Sequence, residues 1–418
     1  MSSDEVFLDT AVSIGRSIVA DAVWHRDRCC WMGAIATDPG QPWRTQYCAL
    51  GSSLYDGTAG VGLFLAKLAD VTGDEAMRRT AIGATHHAVS RAPEIPPDRR
   101  DGFHAGSLGV AWAAARVATL LGEEELRERS RMVLVAAGPP SRPDRRPDVV
   151  PGRAGSILAL LALADALDDP ALLEQAIVAG DELIGLATVT RHGWSWPNPQ
   201  RRGRHQLCGL SHGAAGIGWA LIELYVATGD DRYAAGASGA FAYERSWLDP
   251  GSGTWPDLRT GGQRRRTAQR IPSPAIGTWC HGEGGIALTR LRAIEVLGQE
   301  DHVRDAEVAL ETTRRHLEAS LPFEITDLSL CHGAAGVADV LLCGAAALGE
   351  RWHDAAALSE EFGRVAIERH ATEDQAWPCD AANGTTPALF RGLSGIGWWF
   401  LRMHDPATSS PLELPICG

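Results

Sequence analysis

The sequence predicts an all-α fold, an (α/α)7 toroid in which seven inner helices are enclosed by seven outer ones. Three observations carry that expectation. A Gly-x-x-Gly signature recurs seven times, each copy opens an apolar run too long for a strand, and charged amphipathic runs lie between. Self-similarity at a spacing of this order marks an array of one supersecondary unit.

Five copies read Gly-x-x-Gly-[Val/Ile], at Gly57 to Val61, Gly106 to Val110, Gly213 to Ile217, Gly333 to Val337 and Gly392 to Ile396. Two variants, Gly152-Arg-Ala-Gly155-Ser156 and Gly282-Glu-Gly-Gly285-Ile286, complete the set, with first glycines 46 to 69 residues apart. The runs behind them, such as Ser156 to Leu167 and Gly218 to Val226, are Ala- and Leu-rich and apolar on nearly every side. Such runs predict helices buried all round. The run from Asp301 to Leu321 differs: Val303, Ala306, Leu310 and Leu317 mark one face, and Glu307, Glu311, Arg314 and Arg315 lie largely off it. Helices of that kind make an outer layer with one wet side.

Counting outer before inner gives seven pairs, from about 4–26 with 57–70 to about 350–371 with 392–404. Glycines at the inner N-termini allow close approach and leave backbone N–H groups facing the centre. Three outer-to-inner links carry Trp-Pro, at Trp194-Ser-Trp196-Pro197, Trp255-Pro256 and Trp377-Pro378, and are expected to form hairpin-like loops over the mouth. The richest linker, Pro139 to Pro151, falls between two repeats, so the whole chain, 1–418, reads as one toroid domain.

The 418 residues are 45% hydrophobic and 22% charged, the composition of a globular protein with ample core. A net charge of -13 argues against a nucleic-acid binder, which needs a basic surface to neutralise phosphates. The first residues, MSSDEVFLDT, are acidic early and lack the basic start of a signal peptide. No run approaches the roughly 18 apolar residues that span a bilayer. Nine cysteines without an export signal imply reduced thiols in a cytoplasmic protein, where paired cysteines more often bind metal than form disulfides.

If the units are equivalent, the residues just before each first glycine crowd one mouth. These are Tyr55 and Asp56, His104, Asp148, Ser211 and His212, Cys280 and His281, Cys331 and His332, and Phe390 and Arg391. Two thiolates and one imidazole make a three-ligand zinc set with a fourth position open, the catalytic rather than the structural pattern. The set expected here is Cys280, Cys331 and His332, with His281 a rival ligand. Cys29, Cys30, Cys48, Cys208, Cys343, Cys379 and Cys417 are read as core or surface thiols, and His104 as structural.

With Trp279-Cys280-His281-Gly282, Cys331-His332-Gly333 and the seven glycine signatures in place, the chain resembles the lanthionine synthetase C family, the cyclases of lanthipeptide biosynthesis, over essentially its whole length. The resemblance implies an α/α toroid with a central Zn2+ on Cys280, Cys331 and His332. It also implies catalytic roles for His212, in Ser211-His212-Gly213, and for Asp148, in Asp148-Val-Val-Pro-Gly152. Two positions depart from the nisin-type pattern: His281 stands where those cyclases carry Tyr, and Ile276 where they carry Arg. The first departure is shared with cyclase domains of fused synthetases and with eukaryotic relatives.

The chemistry implied is addition of a peptide cysteine thiol to dehydroalanine or dehydrobutyrine, forming a thioether ring. A thiol of pKa near 8.5 is mostly protonated at neutral pH, whereas zinc coordination deprotonates it. His212 is the leading general acid toward the α-carbon, Asp148 its partner or the base that takes the thiol proton, and His281 a second acid. Expected partners are a dehydrated precursor peptide, a dehydratase and an exporter. Arg201, Arg202 and Arg204, with Arg264, Arg265, Arg266 and Arg270, read either as a rim for acidic peptide segments or as solvated loops. Three competing readings are a relative that adds glutathione or another small thiol to dehydrated protein residues, a prenyltransferase-type zinc toroid, and a helical scaffold without chemistry. The prenyltransferase reading would require a carboxylate among the zinc ligands.

Overall fold

The computed structural model describes residues 3–36, 45–138, 146–197, 205–260, 277–371, 376–380 and 384–413. Fourteen α-helices among these form two concentric rings. The inner ring is Thr58–Thr72 (α2), Ser107–Leu121 (α4), Arg153–Leu167 (α6), Ala214–Thr228 (α8), Glu283–Leu297 (α10), Ala334–Leu348 (α12) and Leu393–His404 (α14). The outer ring is Ser3–Ala20 (α1), Glu75–Arg91 (α3), Glu124–Ala137 (α5), Pro170–Leu186 (α7), Asp231–Arg245 (α9), Glu300–Ser320 (α11) and His353–His370 (α13). No described helix is long and apolar enough to cross a membrane.

The pairing runs opposite to the sequence expectation. Each inner helix from α2 to α12 packs chiefly on the outer helix that follows it, and α1 closes the circle against α14 rather than α2. The reason is loop length, because a two-residue turn leaves two helices little choice but to lie antiparallel and adjacent. After α2, Gly73 takes φ 70°, and its N–H bonds the Ala69 carbonyl. Asp74 then caps α3 by accepting from the N–H groups of Ala76 and Met77. Related short turns follow α4, α6, α8 and α10, with Asp168 taking the left-handed position after α6. These turns form one end of the toroid, and the long links form the mouth at the other.

The first helix also stops sooner than expected, at Ala20, before two antiparallel hairpins. Val23–His25 (β1) pairs with Arg28–Cys30 (β2), and Met32–Ala36 (β3) with Thr45–Ala49 (β4). The Trp194 link does make a hairpin, Thr188–Thr190 (β5) with Gly193–Ser195 (β6), which lies on α9. There the Trp194 indole fills space left open by Gly236 and Gly239. Trp255 follows a single bridge between Asp249 and Thr254, and no strand forms at Trp377 among the described residues.

The inner helices are buried on nearly all sides, as α6 shows from Arg153 to Leu163. In α11 only one face is buried, including Ala306, Leu310 and Leu317. The second glycine of each signature explains the repeat. A Cβ on Gly60, Gly109, Gly155, Gly216, Gly285, Gly336 or Gly395 would lie 1.7 to 2.2 Å from the carbonyl oxygen six residues earlier. Only glycine lets the link fold back this tightly onto the first turn of its own helix.

That fold-back places the residues ahead of each signature on a closed ring of backbone hydrogen bonds. Tyr55 donates to His104, Ala105 to Val150, Val150 to Ser211, Ser211 to Cys280, Cys280 to Cys331, Cys331 to Phe390, and Phe390 to Tyr55, at 2.9 to 3.3 Å. Below it the aromatic rings form a floor across the bore. Phe390 stacks on Tyr55 at 5.1 Å between centroids and meets His104 at 5.0 Å and Trp279 at 5.1 Å.

Candidate metal centre and catalytic pair

Cys280 and Cys331 are consecutive members of that ring, which is why two cysteines 51 positions apart in sequence become neighbours. His332 follows Cys331 and turns toward the same point. One ligand atom from each of Cys280, Cys331 and His332 lies within 4.8 Å of the other two. His281, the rival ligand, is outside this cluster, and its ring faces His212 at 5.4 Å between centroids. None of the eight described cysteines is in a disulfide, and Cys29, Cys208, Cys343 and Cys379 are buried.

The surroundings tune these groups. A hydrogen bond with Cys331 holds the Cys280 thiol well below the ordinary range despite its burial, with His332 adding to the effect. Burial pushes the Cys331 thiol well above that range, and its sulfur accepts a hydrogen bond from the Tyr55 hydroxyl. His332 Nε2 meets Asp380 Oδ1 at 2.8 Å. Burial works against a charge on the ring, but Asp380 pushes its pKa up to about 10. Asp380 in turn is bonded by Arg391. With Nε2 engaged, Nδ1 is the nitrogen left for a metal. Two sulfurs and an imidazole oriented by a carboxylate fit a zinc ion with a position to spare.

Next along the ring, Ser211 donates both its N–H and its hydroxyl to the Cys280 carbonyl, at 3.0 and 2.8 Å. His212 follows, and its Nδ1 lies 2.9 Å from Asp148 Oδ2. A carboxylate can only accept, so Nδ1 donates to Asp148, and Nε2 is left free of that contact. Asp148 is 1% exposed, whereas the His212 side chain is 32% exposed. Burial lowers the pKa of His281 to about 4, so it is neutral at ordinary pH. His104 is fully buried in the floor, with a pKa lowered by burial to about 3.

Two buried carboxylates brace the loops that carry these side chains. Glu244 on α9 accepts from the N–H groups of Gly209 and Ala215, on either side of His212, and pairs through its other oxygen with buried Arg290. Glu283, at the start of α10, accepts from Trp255 and Gly277 and so ties both ends of the intervening link to the Cys280 unit. The sequence reading missed Asp380, Glu244 and Glu283. Asp380 had one signal, its place three residues after Trp377 in a link already marked as lying at the mouth. The arginines at 201, 202, 204, 264, 265, 266 and 270, together with Ile276 and Cys417, lie outside the described residues.

A family model described as lanthionine synthetase C-like protein matches residues 49–416. Among solved structures, a nisin cyclase superposes with a TM-score of 0.65 at 17% identity, over 87% of this chain and 91% of that one. An unsaturated glucuronyl hydrolase from Streptococcus agalactiae gives a TM-score of 0.50 at 11% identity, over 98% of this chain and 93% of that one. At such identities the structural matches establish the helical toroid and nothing about substrate.

Proposed function

Because the chain belongs to the lanthionine synthetase C-like family, we propose that it is a zinc-dependent lanthipeptide cyclase. It closes (methyl)lanthionine rings by adding a cysteine thiol to dehydroalanine or dehydrobutyrine in the same peptide. The observation that carries this reading is the cluster of Cys280, Cys331 and His332 within 4.8 Å, directly beside the His212–Asp148 pair. A zinc ion held by those three residues would supply a position at which a substrate thiol loses its proton.

The remaining work falls to the protein's own groups. Sulfur bonds to the β-carbon, the carbon–carbon π bond breaks, and its electron pair moves onto the α-carbon and adjoining carbonyl. His212 Nε2, which takes up one proton from solvent as the thiol gives one up to solvent, delivers it to this carbon. Asp148, accepting from Nδ1, holds the ring in the tautomer that leaves Nε2 directed at substrate and stabilises it when charged. His281 is neutral, so it passes a proton rather than storing one. Thiol proton and added proton balance, and the peptide mass does not change.

The substrate must arrive already dehydrated, so a dehydratase acts before this protein, and an exporter follows in a cytoplasmic pathway. His281 in place of the nisin-type Tyr supports one second reading, transfer of glutathione or another small thiol onto dehydrated residues. One experiment separates the two. Purified zinc-loaded protein is incubated with a dehydrated, cysteine-containing peptide, with and without glutathione. Cyclisation consumes the peptide thiol at constant mass, and transfer adds the mass of glutathione. A protein with neither activity that also binds no zinc would sink both readings.

A further inference from the structure

After α14 the chain turns back and enters the bore from the end opposite the mouth. Three contacts to the inner helices seat this strap, residues 405–413, and a fourth braces it from within. Arg402 Nε donates to the Thr408 carbonyl at 2.9 Å, and Trp398 Nε1 to the Ser409 carbonyl at 3.0 Å. The Ser410 hydroxyl donates to Asp339 on α12 and accepts from the Leu412 N–H at 3.0 Å. Leu412 is fully buried.

The Leu412 carbonyl then accepts a hydrogen bond at 3.1 Å from Nε1 of Trp279, the residue immediately before Cys280. From this bond we infer that the strap is a positioning element for the metal centre, acting through the Trp279 indole. The inference rests on the cyclase reading of Cys280. Trp279 has no exposed surface, and its ring is set between His104 at 5.3 Å and Phe390 at 5.1 Å. A phenylalanine would supply apolar bulk for that slot, but an indole also brings a donor that must be satisfied once buried. Its acceptor comes from a segment 133 residues away in the sequence. On the other side of Trp279, the Thr278 carbonyl accepts from the N–H groups of Gly282 and Gly285 at 3.1 and 3.3 Å. With the Trp279 indole tied from below and the Thr278 carbonyl held by the first turn of α10, little freedom remains for the backbone that aims the Cys280 sulfur.

The test uses the full-length protein and two point variants. Trp279→Phe deletes the donor, and Ser410→Ala releases the strap from Asp339 at the far end of the bore. Zinc affinity is read by chelator competition and ligand geometry by the cobalt spectrum. Trp279→Phe is expected to weaken zinc binding about tenfold, the low end of the range for a residue that orients a ligand, and Ser410→Ala about threefold or more. The double variant should be no weaker than Trp279→Phe alone, because both break one linkage. Trp31→Phe, which deletes a buried indole bond of 2.7 Å to Ile18 elsewhere in the toroid, should leave zinc affinity unchanged and so controls for lost stability. In metal-free protein, amide exchange of the 277–283 segment should quicken in both strap variants. Affinity within about twofold of the parent in both, with unchanged exchange, overturns the inference. Independent, multiplicative losses also overturn it. Parent protein that binds no zinc while the variants still quicken exchange would count against the cyclase reading and leave the strap's role standing.

Discussion

His332 meets two demands at once: Nε2 is committed to Asp380, and Nδ1 is the nitrogen left for a metal. Asp380→Asn is expected to weaken zinc binding about 10- to 100-fold by chelator competition, because the ring loses its orienting partner. With its pKa pushed up to about 10, the metal-free ring carries a second proton at neutral pH that must leave before zinc binds. Zinc affinity should therefore rise with pH by at least about tenfold per unit between about pH 6 and 8, and a flat profile would contradict the assignment. For the neighbouring pair, His212→Ala and Asp148→Asn should each slow ring closure by about 10²-fold or more, and the double variant no further, since the two act as one unit. The thiols and imidazoles of this site were legible because they repeat at one place in successive units. Asp380 was not, because it approaches His332 from a different link, and no periodicity reports such a crossing.

At the scale of the element, the signature glycines link helix to site. Gly336 sits where a Cβ would stand 1.9 Å from the Leu330 carbonyl, one residue before Cys331. Gly336→Ala is expected to cost about 1–3 kcal/mol in urea denaturation and to lower zinc content as the Cys331 segment is pushed off its helix. Inner and outer helices were readable from burial pattern alone, since apolar all round and apolar on one face are different sequences. Their partnership was not, because the runs carry no label for which neighbour each one faces. The turn Thr72-Gly73-Asp74 decides it, by combining a left-handed residue and a cap in two positions. The hairpins from Val23 to Ala49 were equally silent, being short and half exposed.

For the whole molecule, closure is the organising fact. The first outer helix, α1, seals the circle against the last inner one, and α1 lies outside the segment that matches the family model. Three nearly fully buried imidazoles are distributed around the circle: His104 at about pKa 3, and His281 and His302 at about 4. All are depressed below the roughly 6.5 of an exposed ring, so the fold favours their neutral form. That stability is present above about pH 6.5 and is lost as pH falls toward 4, each ring adding a slope of up to about 1.4 kcal/mol per unit. Urea midpoints measured from pH 7 to 5 should fall accordingly, and a constant midpoint would show that these rings do not titrate on unfolding. The seven-membered backbone circuit closes with bonds of 2.9 to 3.3 Å although its units are separated by 46 to 69 residues. The hoop is thus indifferent to how much chain is strung between its staves. Outlying segments of very different length can therefore be strung on one hoop of unchanged geometry.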